Sequence, residues 1–350
     1  MKTYCKGIEF TRRSVVEALH RWKKSDSGKE NGWRVTDEYG TETAFVDRIW
    51  LELSTETLTF EPIRTYLKHD PNNGKLREIS VESIKRQVCN YLCVGALEPL
   101  LAAKVGFWQV SSGVKGKGAA LGMRKLRRAV HRFAYHLHVD IRNCYGSMQT
   151  AIVEGLVARY VKNSQVLYLL HSLLSTMNGV LILGSYLSLR LAAFVISFAY
   201  HAVEEAAKER RGKRVRLAGC QVWYADDGYF LGNSKRSLGK AAAIAARVLG
   251  RLGLSLKPWK VRRNGAEPID FAGYRIWCAR GRRVDLRKRL WKRLRRAFAR
   301  YMRRRTERLA RRVWLLLGLA ENGCHGAPDE RQAVHIQRGE GRGLGGKIWL

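Results

Sequence analysis

The chain has 350 residues, 46% hydrophobic and 10% aromatic, enough apolar side chain for at least one large core and too much for wholesale disorder. Sixty-five Lys and Arg against 30 Asp and Glu leave a formal charge of +35, an imbalance that repels itself unless something anionic is normally at hand. Nucleic acid is the leading partner class, and an anionic membrane would need an anchor or a spanning helix. Seven scattered cysteines include no Cys-x-x-Cys pair, so they read as reduced thiols and not as a zinc site or a disulfide frame. The N-terminus carries no apolar run of signal-peptide length, and the expected compartment is the cytoplasm.

Residues 14–22 have a short helical pattern, and the polar stretch 24–32 reads as a loop. A turn signal at 71–74 precedes apolar residues at helical spacing over 80–101, and 111–118 reads as a Gly and Lys loop. That loop lacks the Gly-Lys-Ser/Thr ending of a phosphate loop. A helix is expected at 123–133, a strand at 135–141 and a helix at 148–160. The very apolar stretch 166–200 is interrupted by Asn178, Gly179, Gly184 and Arg190. It divides into pieces of about a dozen residues, short of the roughly 18 to 20 that span a bilayer, and buried core helices are expected there. A hairpin at 221–231, a helix at 239–252 and strands at 254–261 and 269–277 follow. Beyond Trp277 the composition changes: 279–312 holds 17 Lys or Arg against two acids. Leu286, Leu290, Leu294, Phe298 and Tyr301 recur every three or four residues there, a basic helix with one apolar stripe.

The sharpest chemical signal is Tyr224-Ala225-Asp226-Asp227, two adjacent carboxylates at a turn between apolar strands. Like charges held together on a sheet edge cost energy unless a cation sits between them. Asp140 closes the strand at 135–141, and setting the two segments side by side brings three carboxylates into an oxygen cage suited to Mg²⁺. Two such ions can activate a 3′-hydroxyl and stabilise a leaving pyrophosphate. A rival zinc set, His136, His138 and Asp140 on alternate positions of one strand, has no fourth ligand nearby in sequence.

The ordered motifs resemble a bacterial reverse transcriptase from about residue 75 to 277. Residues 139–147 (VDIRNCYGS) are similar to the first catalytic palm motif, 184–188 (GSYLS) to the Gly-x-x-x-Ser motif and 224–227 to the acidic hairpin. Residues 254–260 (LSLKPWK) resemble the strand with a late lysine, 271–274 (FAGY) the primer grip, and 75–79 with 109–118 the fingers motifs. The resemblance implies an α/β (α+β) right-hand polymerase: an N-terminal extension over 1–74, fingers over 75–134, palm over 135–277 and a basic helical thumb with a tail over 278–350. It implies an RNA-directed DNA polymerase with two Mg²⁺ ions, Mn²⁺ being able to replace them, that extends a DNA or RNA primer with dNTPs on an RNA template. Its catalytic residues would be Asp140, Asp226, Asp227 and Lys260, with Ile141 joining the three aspartates around the metals. Tyr145 would exclude a 2′-hydroxyl. Gly184, Ser188, Arg77, Lys115, Lys117 and Gln109 would contact substrate, and Phe271, Gly273 and Tyr274 would grip the primer. Arg295, Arg296, Arg303 and Arg304 would hold nucleic acid through phosphates. Leu183 before Gly184 points to the diversity-generating retroelement type, which works with a small basic accessory protein; Leu189 and Ala272 depart from the usual residues at their positions. Retron and phage-defence enzymes are the alternatives, as is a catalytically silent RNA-binding protein on the same scaffold.

Overall fold

A computed structural model describes residues 2–69, 76–111, 116–278, 284–310 and 312–313 of the chain. The turn expected at 71–74 lies outside them, as do Lys75 and residues 112–115 of the Gly and Lys loop, Lys115 included. The first helices are α1 (Arg12–Lys23), α2 (Asp26–Asn31), α3 (Arg34–Tyr39) and α4 (Glu42–Ser54). Thr11, Ser25 and Thr41 cap three of them by accepting the N–H groups of Ser14, Gly28 and Ala44. The stretch expected to be a loop at 24–32 therefore contains α2. Ser25 starts it, and Gly28 packs so closely on the Trp22 carbonyl that a Cβ there would collide with that oxygen.

Strands β1 (Arg64–His69) and β2 (Leu76–Val81) pair antiparallel, so residues 80–81 belong to a strand and not to the helix expected from 80 onward. Ser83 then caps α5 (Ile84–Lys104), which is followed by α6 (Ala119–Val130), β3 (Tyr135–Asp140), α7 (Cys144–Ser147), α8 (Thr150–Tyr160) and α9 (Ser164–Leu174). Helix α10 (Tyr186–Glu205) runs on through Arg190, where a break was expected, because the buried guanidinium reaches Glu98 Oε2 at 2.6 Å. By length and composition α10 is apolar enough to cross a membrane, but 72% of its apolar window is buried inside the fold.

The remaining elements are β4 (Ala207–Arg210), β5 (Lys213–Arg216), β6 (Cys220–Tyr224), β7 (Asp227–Gly232), α11 (Lys235–Gly250), β8 (Val261–Arg263), β9 (Ile269–Phe271), β10 (Tyr274–Ile276), β11 (Val284–Leu286) and α12 (Lys288–Arg304). The strand expected at 254–261 is reduced to a single bridge, Leu256 to Ile141, and the ladder with β3 begins only at Val261. Pro258 has no N–H to contribute to a ladder in between. The strand expected at 269–277 is the hairpin β9–β10, turned by Ala272 (φ +44°) and Gly273 (φ +95°), the positive pair that a two-residue turn requires. The basic stretch opens with β11, which pairs with β10, so one three-stranded sheet runs across the boundary drawn near Trp277.

The fold is thus mixed α and β. Its central sheet is antiparallel in the order β6-β7-β3-β8. Leu137, Val139, Trp223 and Phe230 enter the larger core with α10 and α11, whereas Val222, Tyr229 and Leu231 enter a smaller one with α6, the β9–β10 hairpin and α12. Burial on both faces explains why β6 and β7 read as continuous apolar runs with no alternation, whereas β3 alternates and exposes His138. Gly228 sits where the sheet is tightest, because a Cβ there would lie 2.7 Å from Val139 Cγ2 and 3.0 Å from the Trp223 ring. Gly228→Ala should lower stability by about 1 to 3 kcal/mol through overpacking. The urea midpoint measures it, and an unchanged midpoint would mean that the two strands part freely at this level.

Candidate active site

Strand β3 lies beside β7 with Asp140 directly opposite Asp227, and the two-residue loop Ala225-Asp226 joins β6 to β7 at the same end. Ala225 takes φ +52°, a conformation that costs a residue with a Cβ roughly 1 to 2 kcal/mol. Two contacts hold the turn in place. The Ala225 N–H donates to Ser111 Oγ, and the Ile141 N–H donates to the Asp226 carbonyl at 3.1 Å. The carboxylates therefore gather because the sheet register brings them together, against their mutual repulsion.

Asp226 shows the cost. Its carboxyl is held above the ordinary aspartate range, first by burial, then by Asp227 and further by Asp140. One cation and one imidazole meet two of these carboxylates. Lys257 Nζ meets Asp140 Oδ2 at 2.7 Å, and His138 Nε2 meets Asp227 Oδ1 at 2.7 Å while its ring stacks on Tyr229. Residues 255–257 run beside 140–142, with Lys257 N–H donating to the Asp140 carbonyl and Arg142 N–H to that of Ser255, which delivers Lys257 to the site. Asp140 Oδ1 is buried with no hydrogen-bond partner. A buried carboxylate oxygen without a donor is one that a bound cation would satisfy. The donor set, carboxylate oxygen with no thiolate, suits a hard divalent ion such as Mg²⁺. Among the described residues no three acidic, His or Cys side chains stand as a ready-made ligand group. Lys257 and His138 would have to release their oxygens as an ion enters. His136 does not join them, since its Nδ1 is paired with Asn264 Oδ1 at 2.7 Å.

Tyr145, on α7, is the wall between two spaces. One is a cavity of about 10 Å³, room for about a single water, bordered by Gln109, Ser111, Cys144 and Asp226. The other is a cleft of about 500 Å³ bordered by Tyr66, Ser80, Tyr91, Gly184 and Tyr186. Burial raises the Tyr145 hydroxyl above its usual pKa, so it stays protonated. Gly184 (φ +108°) faces the Ser80 carbonyl, which a Cβ would approach to 3.1 Å.

Several other residues singled out in the sequence have internal partners or lie on exposed faces. Ser188 is fully buried, accepts the Ile182 N–H and contacts Met177 Sδ. Gln109 spends its amide on Gly106 N–H and the Ala193 carbonyl. Lys117 reaches the Gly106 carbonyl, and Arg77 lies on the exposed part of β2. Lys257 and Lys260 are both exposed, and the lysine that pairs with the carboxylates is Lys257, three residues earlier. Phe271 and Tyr274 are buried, Phe271 packing edge-on against Tyr224 and Tyr229 beneath the acidic turn, with Gly273 at the hairpin tip. Arg295, Arg296, Arg303 and Arg304 are exposed on α12.

Compared with protein-family models and with curated proteins, the chain matches none.

Because folding raises the Asp226 pKa, the fold binds this proton more tightly than the unfolded chain does. The resulting penalty is absent at low pH and grows as pH rises from the unfolded toward the folded pKa. Asp226→Asn should therefore raise the urea midpoint at pH 7 without divalent ions, and the gain should vanish by about pH 3. Adding Mg²⁺ should stabilise the wild type more than Asp226→Asn. A gain that persists at low pH would assign the effect to packing.

Proposed function

We propose that the chain is an RNA-directed DNA polymerase that extends a primer 3′-hydroxyl with dNTPs on an RNA template. The observation that carries this reading is the register pair Asp140 and Asp227, with Asp226 in the adjoining turn and a partnerless Asp140 Oδ1 among them. The ordered motifs around it support the same reading, as does the charge of +35. In this reading the four-stranded sheet is the palm, the β1–β2 hairpin belongs to the fingers and α12 is the thumb. The subgroup that fits the motifs best is the diversity-generating type, with a small basic accessory protein as partner.

Asp140, Asp226 and Asp227, with the Ile141 backbone, would hold two Mg²⁺ ions, which when bound supply Lewis-acid activation of the hydroxyl and neutralisation of the leaving pyrophosphate. The protein's own residues set the rest. Burial of β6 and β7 on both faces, leading into the turn, keeps the carboxylates from drifting apart. Lys257 pairs with Asp140 and the His138 imidazole bonds Asp227 between turnovers, and Lys257 is placed to meet negative charge developing beside Asp140. Tyr145, packed against the larger core, lines the 500 Å³ cleft, where a sugar 2′ substituent would meet its ring.

Asp226→Ala and Asp140→Ala should each abolish primer extension while RNA binding stays nearly intact, because each removes a carboxylate and no phosphate contact. Retention of more than a few per cent of extension by either variant would end the assignment. Tyr145→Ala should lower the ratio of kcat/KM for deoxy over ribo substrates by tenfold or more. An unchanged ratio in an active variant would make Tyr145 a packing residue.

A further inference from the structure

Helix α11 turns Leu238, Ala241, Ala245 and Leu249 into the larger core, against β3, β7 and β8. Its opposite side carries Arg236, Lys240, Arg247 and, at the C-cap, Arg251, all exposed. Spacings of four, seven and four residues place these cations within about 60° of one another around the helix axis and along about 22 Å of its length. The helix contains no acidic residue, and none of the four cations pairs with a carboxylate among the described residues.

Four of the five arginines of the N-terminal helices are treated differently: Arg12, Arg13, Arg34 and Arg48 are matched with Asp47, Glu17, Glu38 and Glu52, while Arg21 reaches the Glu17 carbonyl. Like charges four residues apart destabilise a helix, so the α11 row persists at a cost that a polyanion would remove. On one side of the row the flanking positions are small, Gly239, Ala243 and Gly250, and on the other Ile244 and Val248 are half-buried, so no long side chain stands up beside it. At its N-terminal end Lys208 Nζ donates to Ser237 Oγ at 2.9 Å, fastening the β4–β5 hairpin whose turn presents the exposed Arg211 and Lys213.

The basic helix α12 lies over the smaller core, on the other face of the central sheet. One duplex laid against α12 cannot reach this row through the sheet and its two cores.

We propose that the outer row of α11 is a second nucleic-acid surface, which takes the phosphate backbone of a folded RNA outside the catalytic cleft. Charge and geometry assign the polyanion, while the choice of RNA over DNA rests on the polymerase reading above.

The test combines Arg236→Gln, Lys240→Gln, Arg247→Gln and Arg251→Gln in the full chain and measures affinity for a blunt RNA hairpin and for its DNA counterpart across a salt series. Neither probe offers a primer end, so the result does not depend on catalysis. A comparison variant, Arg13→Gln, Lys29→Gln, Arg34→Gln and Arg48→Gln, removes the same charge from the N-terminal helices. The row variant should bind the RNA hairpin about tenfold more weakly, with a slope of log affinity against log salt shallower by about three, and the comparison variant should change far less. Equal losses in both variants would reduce the effect to net charge and overturn the proposal, as would an unchanged slope. A loss confined to the DNA hairpin would overturn the choice of RNA. A loss of polyglutamate binding with RNA unaffected would make the row a dock for an acidic protein instead. If the fourfold variant does not unfold cooperatively, Arg247→Gln with Arg251→Gln should give about half the slope change. Should primer extension fail while the row effect stands, the polymerase reading falls and this surface remains.

Discussion

The repulsion between Asp140 and Asp227, held opposite each other on neighbouring strands with Asp226 in the next turn, is the constraint around which the structure is arranged. Directly opposed like charges destabilise a sheet. Here they also sit at the end of a sheet buried on both faces, where charge is costlier still. The fold tolerates them because the sheet cannot relax: Trp223 and Phe230 fill one side, Val222 and Tyr229 the other, and Gly228 leaves no room for the strands to slide. Lys257 and His138 then supply two positive or donating groups where the charge is densest.

The surroundings of that turn are built from elements distant in the chain. Ser111 pins the Ala225 N–H, the 255–257 segment brings in Lys257, and Phe271 packs underneath through Tyr224 and Tyr229. Tyr145 then divides the carboxylates from a cleft whose far wall is Tyr66 and Ser80 of the β1–β2 hairpin. Rigidity at the acidic turn and open space beyond Tyr145 are the two things a site needs if it is to hold charge fixed while a large substrate comes and goes.

Excess positive charge is distributed unevenly. Arg12, Arg13, Arg34 and Arg48 of the N-terminal helices are matched by acids on their own helix or on α4, and Arg86 is buried against Glu82. On α11 the cations stand exposed in a row, and on α12 Arg295, Arg296, Arg303 and Arg304 are exposed as well. At these positions the helices on the two faces of the sheet carry exposed charge that pairs with no carboxylate among the described residues, the pattern expected where a polyanion completes the surface.

The sequence by itself determined the elements whose signal is local. The β6–β7 hairpin, β3 and the apolar stripe of α12 were legible because period, composition and turn residues agree within each segment, and an apolar helix after Gly184 was legible though not its continuity through Arg190. The three aspartates were legible as a set, since folding alone gives no reason to place adjacent carboxylates between apolar strands. Helix α2 was hidden because its signature is a cap at Ser25 and a close backbone contact at Gly28, neither of which alters the polar look of 24–32. Only the tertiary structure decided which lysine faces Asp140, because Lys257 and Lys260 look alike in the chain, and the pairing of 255–257 with 140–142 selects the first. It likewise turned Ser188 and Gln109 into internal hydrogen-bonding groups and made His138 a partner of Asp227. Register between strands and the burial of a polar side chain depend on residues a hundred or so positions away, and no local pattern carries that information.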